Sequence, residues 1–355
     1  MKKRNIIIIA AVAAIGIVAV VVAITGSRKA TFKQDYHIED VSTITRIFLA
    51  DKQENEVLLT RTGDSAWVVD GKYPANQPMV DLFLETLHTM RIRQQVNRNA
   101  VPTVIKNLSA RAIKVEVYQR VPWINWFGGR LQLFPHEKLT ATYFVGRETK
   151  DMLGSYMFRE GDKAPCVIHI PGFRGFLTPR FVTDPLKWRS HTIVDLDPKA
   201  IARIELEIPA NESESFAVVN NGEDFDLIVG GSKVPAFDTL RVAALIASFT
   251  WLNFDEFATI VPNSRDSSLA GTPRTILHIT DTAGTTRELY TYIKYVNPDD
   301  LETIPDADMY ETFDVNRLYA ILDKTDTVLI QYHVFDNILQ PASYFLGADT
   351  KLDIE

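Results

Sequence analysis

The residues of this chain that could carry out catalysis are not spaced as known active sites require. The run Gly-Gly-Ser-Lys at 230–233 lacks the GxxxxGK[ST] spacing of a phosphate-binding loop. His136-Glu137 is not followed by the second histidine of a zinc-protease helix, and the seven histidines show no ligand spacing. Ser155 and Ser248 have no G-x-S-x-G context. These patterns predict a non-catalytic protein with no cofactor and no metal site.

Two other candidates for chemistry have simple structural explanations. Cys166 is the only cysteine and lies in the strand-like run CVIHI, which predicts a buried, inert thiol. The run 297–314 holds seven acidic residues, but neither its oxygen spacing nor a turning glycine matches a calcium loop. It is therefore predicted to be a solvated acidic loop.

The segment 120–138 is the most informative candidate for a binding site. It reads RVPWINWFGGRLQLFPHEK, with aromatic residues around a Gly-Gly pair where a solvated loop is expected. It either folds back over a core or forms a contact surface for lipid or a partner protein. The residues assigned to such a contact are Trp123, Trp126, Phe127 and Arg130.

The first 30 residues contain a long apolar segment. Lys2, Lys3 and Arg4 precede Ile6–Thr25, which carries no charge and as a helix would match the thickness of a bilayer core. A cleaved signal peptide is the alternative, but the apolar core is long and no small-x-small cleavage site follows. The segment predicts a transmembrane signal anchor in a single-pass inner-membrane protein with its C-terminal part in the periplasm.

Composition and charge narrow the function classes. The 355 residues are 46% hydrophobic and 23% charged, as in a globular protein. The formal charge is −7 and the first 30 residues contribute +5, so the remainder carries −12. Nucleic acid is therefore excluded as an expected partner, because binding it requires a basic surface.

An internal repeat organises the rest of the chain. Segments in the first half match segments in the second half in the same order, namely ITRIFLA (44–50) with IARIELE (201–207), WVVDGKYPA (67–75) with DLIVGGSKVPA (226–236), PMVDLFLETLHTM (78–90) with DTLRVAALIASF (238–249), IKVEVY (113–118) with TILHIT (275–280), VIHI (167–170) with VLIQ (328–331), and FLTP (176–179) with ILQP (338–341). Ordered matches over this length indicate two copies of one unit, roughly 41–198 and 199–345.

Local patterns suggest the content of each copy. Short β-branched runs separated by turn residues predict strands, and strict alternation in IKVEVY predicts antiparallel strands with one buried face. An apolar stripe beginning at Met79 predicts one main helix in the first copy. The expected fold class is α+β: an N-terminal transmembrane helix in 1–30, then two similar mixed α/β units, 31–198 and 199–355, each an antiparallel sheet with a helix packed on it.

These features together resemble a known family. The pattern I-x-R-I…[W/F]-x-[VI]-V…G…P-A…helix, its tandem repetition and the N-terminal apolar segment are similar to a bacterial envelope family, domain-of-unknown-function family 4340. The resemblance covers about 44–345 and carries no catalytic residue. Members look like companions of gliding-motility-type ABC exporters, which implies an accessory role.

Two functions follow from the sequence. The first is a non-catalytic, membrane-anchored envelope protein that docks on a membrane complex such as an ABC exporter. Its expected partners are the inner-membrane lipid bilayer and an ABC-type permease. The alternative is a periplasmic domain that binds or hydrolyses glycan or peptide.

Overall fold

The computed structural model describes residues 36–126, 131–258, 269, 271–295 and 313–346. The chain divides into two compact units between Ser190 and His191. The sequence placed the division at residues 198 and 199. The difference arises because the segment after His191 pairs with strand residues further along the second unit, at Leu252–Asn253.

The first unit is built mainly of strands. Its strands are β1 Ile44–Ala50, β2 Glu56–Arg61, β3 Trp67–Val69, β4 Tyr73–Pro74, β5 Arg91–Gln95, β6 Ile113–Trp126, β7 Leu131–Glu148, β8 Ser155–Arg159 and β9 Cys166–His169. Its helices are α1 Gln77–Thr89, α2 Val101–Arg111 and α3 Pro185–Trp188.

These nine strands form one antiparallel sheet in the order β4-β3-β2-β1-β6-β7-β8-β9-β5. One face of the sheet carries the main core, where the buried positions of β1 and β6 alternate with half-buried ones and, with Val145 of β7, belong to the same cluster as α1. The apolar stripe of α1 lies against this face through Phe83 and Leu87, both buried. A smaller cluster on Val104 and Leu108 of α2 packs against Phe144 and Phe158.

The second unit has the same character. Its strands are β10 Thr192–Val194, β11 Ile201–Glu207, β12 Phe216–Asn220, β13 Phe225–Val229, β14 Ser232–Lys233, β15 Leu252–Asn253, β16 Glu256–Phe257, β17 Thr275–Asp281, β18 Thr286–Tyr295, β19 Phe313–Leu322 and β20 Asp326–Gln331. Its helices are α4 Thr239–Ala247, α5 Tyr332–Phe335 and α6 Ala342–Phe345.

The main sheet of the second unit runs β14-β13-β12-β11-β17-β18-β19-β20-β16, and β10 pairs separately with β15. Strand by strand, this is the order of the first sheet. The segments matched in the sequence occupy equivalent places: β1 and β11 are each the fourth of nine strands, and β9 and β20 each pair with the edge strand that follows the main helix. The apolar stripe formed by Val242, Leu245 and Ile246 of α4, together with Phe249 just after it, is buried.

The strand-to-helix corner explains the repeated glycines. Gly71 adopts φ +68°, and Gly230 and Gly231 adopt +56° and +79°, conformations that side chains disfavour. The corner then leads to an N-cap. The Asn76 side chain accepts the Met79 N–H at 3.2 Å, and that of Asp238 accepts the Leu240 and Arg241 N–H groups at 3.1 Å.

We expect Asp238→Ala to destabilise the second unit by about 1 kcal/mol, because it leaves two N–H groups at the start of α4 without their side-chain acceptor. Urea unfolding measures the effect. Asp238→Asn, which keeps an acceptor oxygen, should recover most of the loss. An alanine variant as stable as the parent chain would show that the cap contributes nothing.

The predicted fold class is wrong. Among the described residues, strands account for 45% and helices for 21%, and each unit is a large antiparallel sheet instead of a mixed α/β unit. In the first unit α1 and α2 pack on opposite faces of the sheet, and in the second unit α4 packs on one face. The 3.6-residue periodicity of α1 made it prominent in the sequence, whereas two-residue strands such as β4 and β14 have no detectable period.

The predicted membrane span Ile6–Thr25 lies outside the described residues. Within the part of the chain that the structure describes, no helix has the length and apolar character needed to cross a membrane. The structure gives no support to the predicted N-terminal transmembrane helix or to the predicted single-pass inner-membrane localisation.

Candidate functional site

The candidate contact segment is the outer part of the hairpin formed by β6 and β7. These strands pair from Ile113↔Val145 out to Trp126↔Leu131. The neighbouring strands stop earlier, since β1 pairs with β6 only as far as Gln119 and β8 pairs with β7 only as far as Tyr143. Residues 120–126 and 131–138 thus form a two-stranded ribbon, here called the arm, where the sequence suggested a loop.

Hydrogen bonds at the base fix the direction of the arm. Glu137 forms an ion pair with Arg46 at 2.7 Å and accepts the Thr45 hydroxyl at 2.8 Å. On the opposite strand, Gln119 Nε2 donates to Thr43 Oγ1 at 2.7 Å and Gln119 Oε1 accepts the Thr140 hydroxyl at 2.5 Å. The first unit therefore holds the ribbon at both strands where it leaves the sheet.

The outer face of the sheet below the arm carries a chain of charged contacts. The Arg46 guanidinium lies 4.1 Å from the Tyr118 ring centroid, and the Tyr118 hydroxyl donates to Glu116 at 2.7 Å. Lys114, which contacts Glu116 at 2.6 Å, lowers the pKa of that carboxyl, and the bond to Glu116 raises the pKa of Tyr118. These groups are thus already paired and stabilise the base of the arm.

The large apolar side chains of the arm face solvent. Trp123 is 75% exposed, Trp126 54% and Phe134 70%. Leu131 and Leu133 are also exposed. Paired residues of an antiparallel ribbon lie on the same face, so Trp126 shares a face with Leu131, whereas Trp123 lies on the other face, 5.4 Å from the His136 ring. Both faces of the arm therefore present apolar surface.

Of the four residues assigned to this contact, Trp123 and Trp126 both lie on the arm, one on each face. Phe127 and Arg130 lie outside the described residues. The alternative that the segment folds back to cover a core does not hold for the tryptophans, since both are exposed. Phe134, at a positive φ of 55° on the return strand, joins them as an exposed ring.

The backbone edges of the arm are blocked by proline. Pro122 and Pro135 are paired across the ribbon. Neither has an N–H, so the pair occupies a position where both backbone nitrogens point away from the opposite strand. Each edge thus lacks one donor that an added strand would need. The arm consequently offers side-chain faces for contact, not a template for strand addition.

The other residues considered for chemistry have structural roles. The buried Ser155 Oγ accepts the N–H groups of Leu177 and Thr178 at 2.9 and 3.0 Å. The Ser248 hydroxyl donates to the Ala244 carbonyl within its helix. Cys166 is a buried free thiol, as predicted, and burial raises its pKa. The described residues contain no group of histidines, cysteines and carboxylates able to hold a metal ion.

The acidic run 297–314 lies almost entirely outside the described residues. Its last member, Asp314, contacts Lys294 at 2.9 Å. The sequence did not single out Phe225 and Phe237, which line a cavity in the second unit. The two repeats differ in the residues at the place of this cavity. This difference can be recognised only when the strand registers are known.

The fold and the arm define a class: a tandem antiparallel β-sheet protein with a projecting aromatic hairpin. The chain belongs to the family described as Domain of unknown function (DUF4340), whose profile matches residues 67–272. This confirms the resemblance drawn from the sequence. No curated protein and no solved structure matches the chain.

Proposed function

We propose that this chain is a non-catalytic docking subunit of a larger protein complex and that the arm is its contact with the partner. The observation that carries the proposal is the exposure of Trp123, Trp126 and Phe134 on a ribbon held rigidly at its base. Tryptophan is the residue type most enriched at positions that dominate binding energy. Exposed aromatic rings on a preordered element bind at a low entropic cost.

The exposed area supports a protein partner. If a fully exposed Trp or Phe offers about 150–250 Å², the three rings together expose roughly 400 Å². That is about half of the ~800 Å² that one partner contributes to a standard protein interface. Because both faces of the ribbon are apolar, the partner surface that fits best is a groove with apolar walls. The family resemblance suggests an ABC-type permease as the partner that supplies it.

The arm does not favour the alternative function. Binding of glycan or peptide needs aromatic rings or carboxylates that converge on a cleft. Trp123 and Trp126 lie instead on opposite faces of one ribbon. A flat lipid surface is a second possible occupant, because tryptophan is also favoured at the bilayer interface. The following experiment distinguishes lipid from protein.

We expect the triple variant Trp123→Ser, Trp126→Ser, Phe134→Ser to lose capture of a permease subunit in a pull-down of the tagged full chain from gently solubilised membranes. Each buried aromatic contributes about 1–2 kcal/mol or more, so the loss of three rings should weaken binding at least ~100-fold. The melting temperature should change by less than ~2 °C, because the rings are exposed.

The matched control is Leu240→Ser, Trp251→Ser, which removes two exposed apolar side chains from the second unit and should capture normally. Undiminished capture by the triple variant would contradict the proposal, as would the absence of a permease among the captured proteins. Sedimentation with phosphatidylethanolamine–phosphatidylglycerol vesicles completes the test. If wild-type chain binds these vesicles and the triple variant does not, the arm binds lipid and the protein groove is wrong.

A further inference from the structure

The second unit contains an apolar cavity of about 290 Å³. Helix α4 forms one wall, and the rings of Phe225 and Phe237 and the side chain of Pro198 form the others. Asp224 is the one charged residue in the lining. The volume is close to the lower limit of about 300 Å³ for ligand pockets, so the cavity suits one long side chain better than a large ligand.

The equivalent place in the first unit is filled by the chain itself. In the sheet register, Arg61 of β2 pairs with Trp67 of β3, as Asn220 of β12 pairs with Phe225 of β13. The Arg61 guanidinium lies 5.2 Å from the centroid of the buried Trp67 ring. It also donates to the carbonyl of Ser42, in the 3-10 helix that precedes β1. The first unit thus places a cation on an aromatic ring between a strand pair and this short helix.

The second unit keeps the walls of this arrangement but lacks its cation. The corresponding 3-10 helix, Pro198–Ala200, still lines the cavity through Pro198. Phe225 still supplies a ring. The arginine, however, is replaced by the shorter Asn220, whose side chain donates to the Ile201 carbonyl at 2.9 Å.

The helix wall has also lost bulk and charge. Counted from the N-caps Asn76 and Asp238, the helix positions of Asp81 and Glu85 in α1 correspond to Ala243 and Ala247 in α4. Both alanines line the cavity. In both the strand and the helix, the second unit therefore has a smaller side chain than the first unit. Together these differences leave space where the first unit has side chains.

We propose that this cavity binds an arginine side chain of a partner protein, which takes the place that Arg61 occupies in the first unit. The Phe225 ring accepts the flat face of the guanidinium and the apolar walls cover its methylene stem. The Asp224 carboxylate, held in position by the Phe225 N–H at 2.9 Å, pairs with its charge. The acidic remainder of the chain, with a formal charge of −12 over residues 31–355, favours the approach of a basic segment.

The proposal can be tested with two capped peptides, Ac-Ala-Arg-Ala-amide and its citrulline analogue, which has nearly the same shape but no charge. The full chain is labelled at alanine, valine and isoleucine methyl groups, and each peptide is titrated by NMR. We expect saturable shifts at Val242, Ala243 and Ile246 with the arginine peptide, and binding at least ~10-fold weaker with the citrulline peptide. Equal binding of the two peptides, or no shift at these methyl groups, would overturn the proposal.

Two variants test whether the peptide binds in this cavity. Asp224→Asn, an exposed and conservative change, should weaken binding of the arginine peptide by about 3–10-fold. Asn220→Arg with Phe225→Trp rebuilds the pair of the first unit inside the second, and it should abolish the shifts and raise the melting temperature. If this variant folds and still binds the peptide as tightly as the parent chain, the cavity is not the binding site. If it does not fold, Asp224→Asn decides, and unchanged binding in that variant also refutes the assignment.

Discussion

Replacing the arm by the short turn of the second unit is expected to abolish capture of the partner while leaving the first unit folded. In the first unit Tyr118 pairs with Leu139, and in the second Thr280 pairs with Thr286. Residues 119–138 can therefore be exchanged for Asp-Thr-Ala-Gly-Thr (281–285), a turn closed by the bond from the Asp281 N–H to the Thr285 carbonyl at 3.0 Å. The graft joins the same two strands with a connection that the repeat already uses.

The stability change should be small because the arm adds little to the core. The graft removes the exposed Arg46–Glu137 ion pair and the hydrogen bonds of Gln119, each contributing up to about 1 kcal/mol. It also removes a ribbon whose ordering costs conformational entropy. We expect the free energy of unfolding to fall by no more than about 2 kcal/mol, measured by urea titration.

Capture, by contrast, should fall to background, because every ring that makes the proposed contact is absent. The control is Leu240→Ser, Trp251→Ser, which leaves the arm intact, removes two exposed apolar side chains elsewhere and should capture normally. A grafted chain that still captures the permease would place the contact elsewhere. A grafted chain that does not fold would show that the arm is part of the structural core, contrary to its exposure.

The second large effect is expected from Trp188→Ala, which should destabilise the first unit by about 3–5 kcal/mol. Trp188 is fully buried, and its ring lies 5.3 Å from that of Phe83 in an edge-to-face arrangement. Its indole N–H donates to the Val182 carbonyl at 2.9 Å, and its own carbonyl accepts the Asn76 N–H at 2.7 Å. Truncation creates a large cavity and leaves the Val182 carbonyl without its donor.

Calorimetry of the full chain measures this change as a lower transition temperature for the first unit. Trp188→Phe separates the two contributions, since it keeps a ring against Phe83 but removes the indole N–H, and it should lose less than the alanine variant. Trp251→Ala is the matched control, because that side chain is 68% exposed and its removal should cost no more than about 0.5 kcal/mol. Equal effects at the two tryptophans would contradict the packing described for Trp188.

Much of the local structure could be predicted because it depends on short-range geometry. The apolar stripe beginning at Met79 and the strict alternation in IKVEVY follow from periods of a few residues, and both segments form the predicted elements. The helix α2 was missed, since it carries only a short apolar stripe and begins at Val101 without a side-chain cap.

The structure of the arm was predicted from the sequence only in part. Its aromatic residues marked it as unusual, and the two described tryptophans are exposed. Its regular form was not foreseen, because a Gly-Gly pair and two prolines are typical of loops. The strands continue through the two prolines because Pro122 and Pro135 are paired where neither nitrogen is needed for the ladder. Such pairing across a hairpin cannot be recognised from either strand alone.

The sequence by itself determined the repeat, the segments that form strands and the residues that begin the main helices, because each depends on neighbours along the chain. Only the tertiary structure decided which strands pair and in which register. Aligning Gly71 with Gly230 sets Trp67 against Asp226, whereas the sheet register sets it against Phe225. The turn after β3 has one residue more than the turn after β13. Since a one-residue shift moves a side chain to the opposite face of a sheet, only the pairing shows that Phe225 lines the cavity where the first unit buries Trp67.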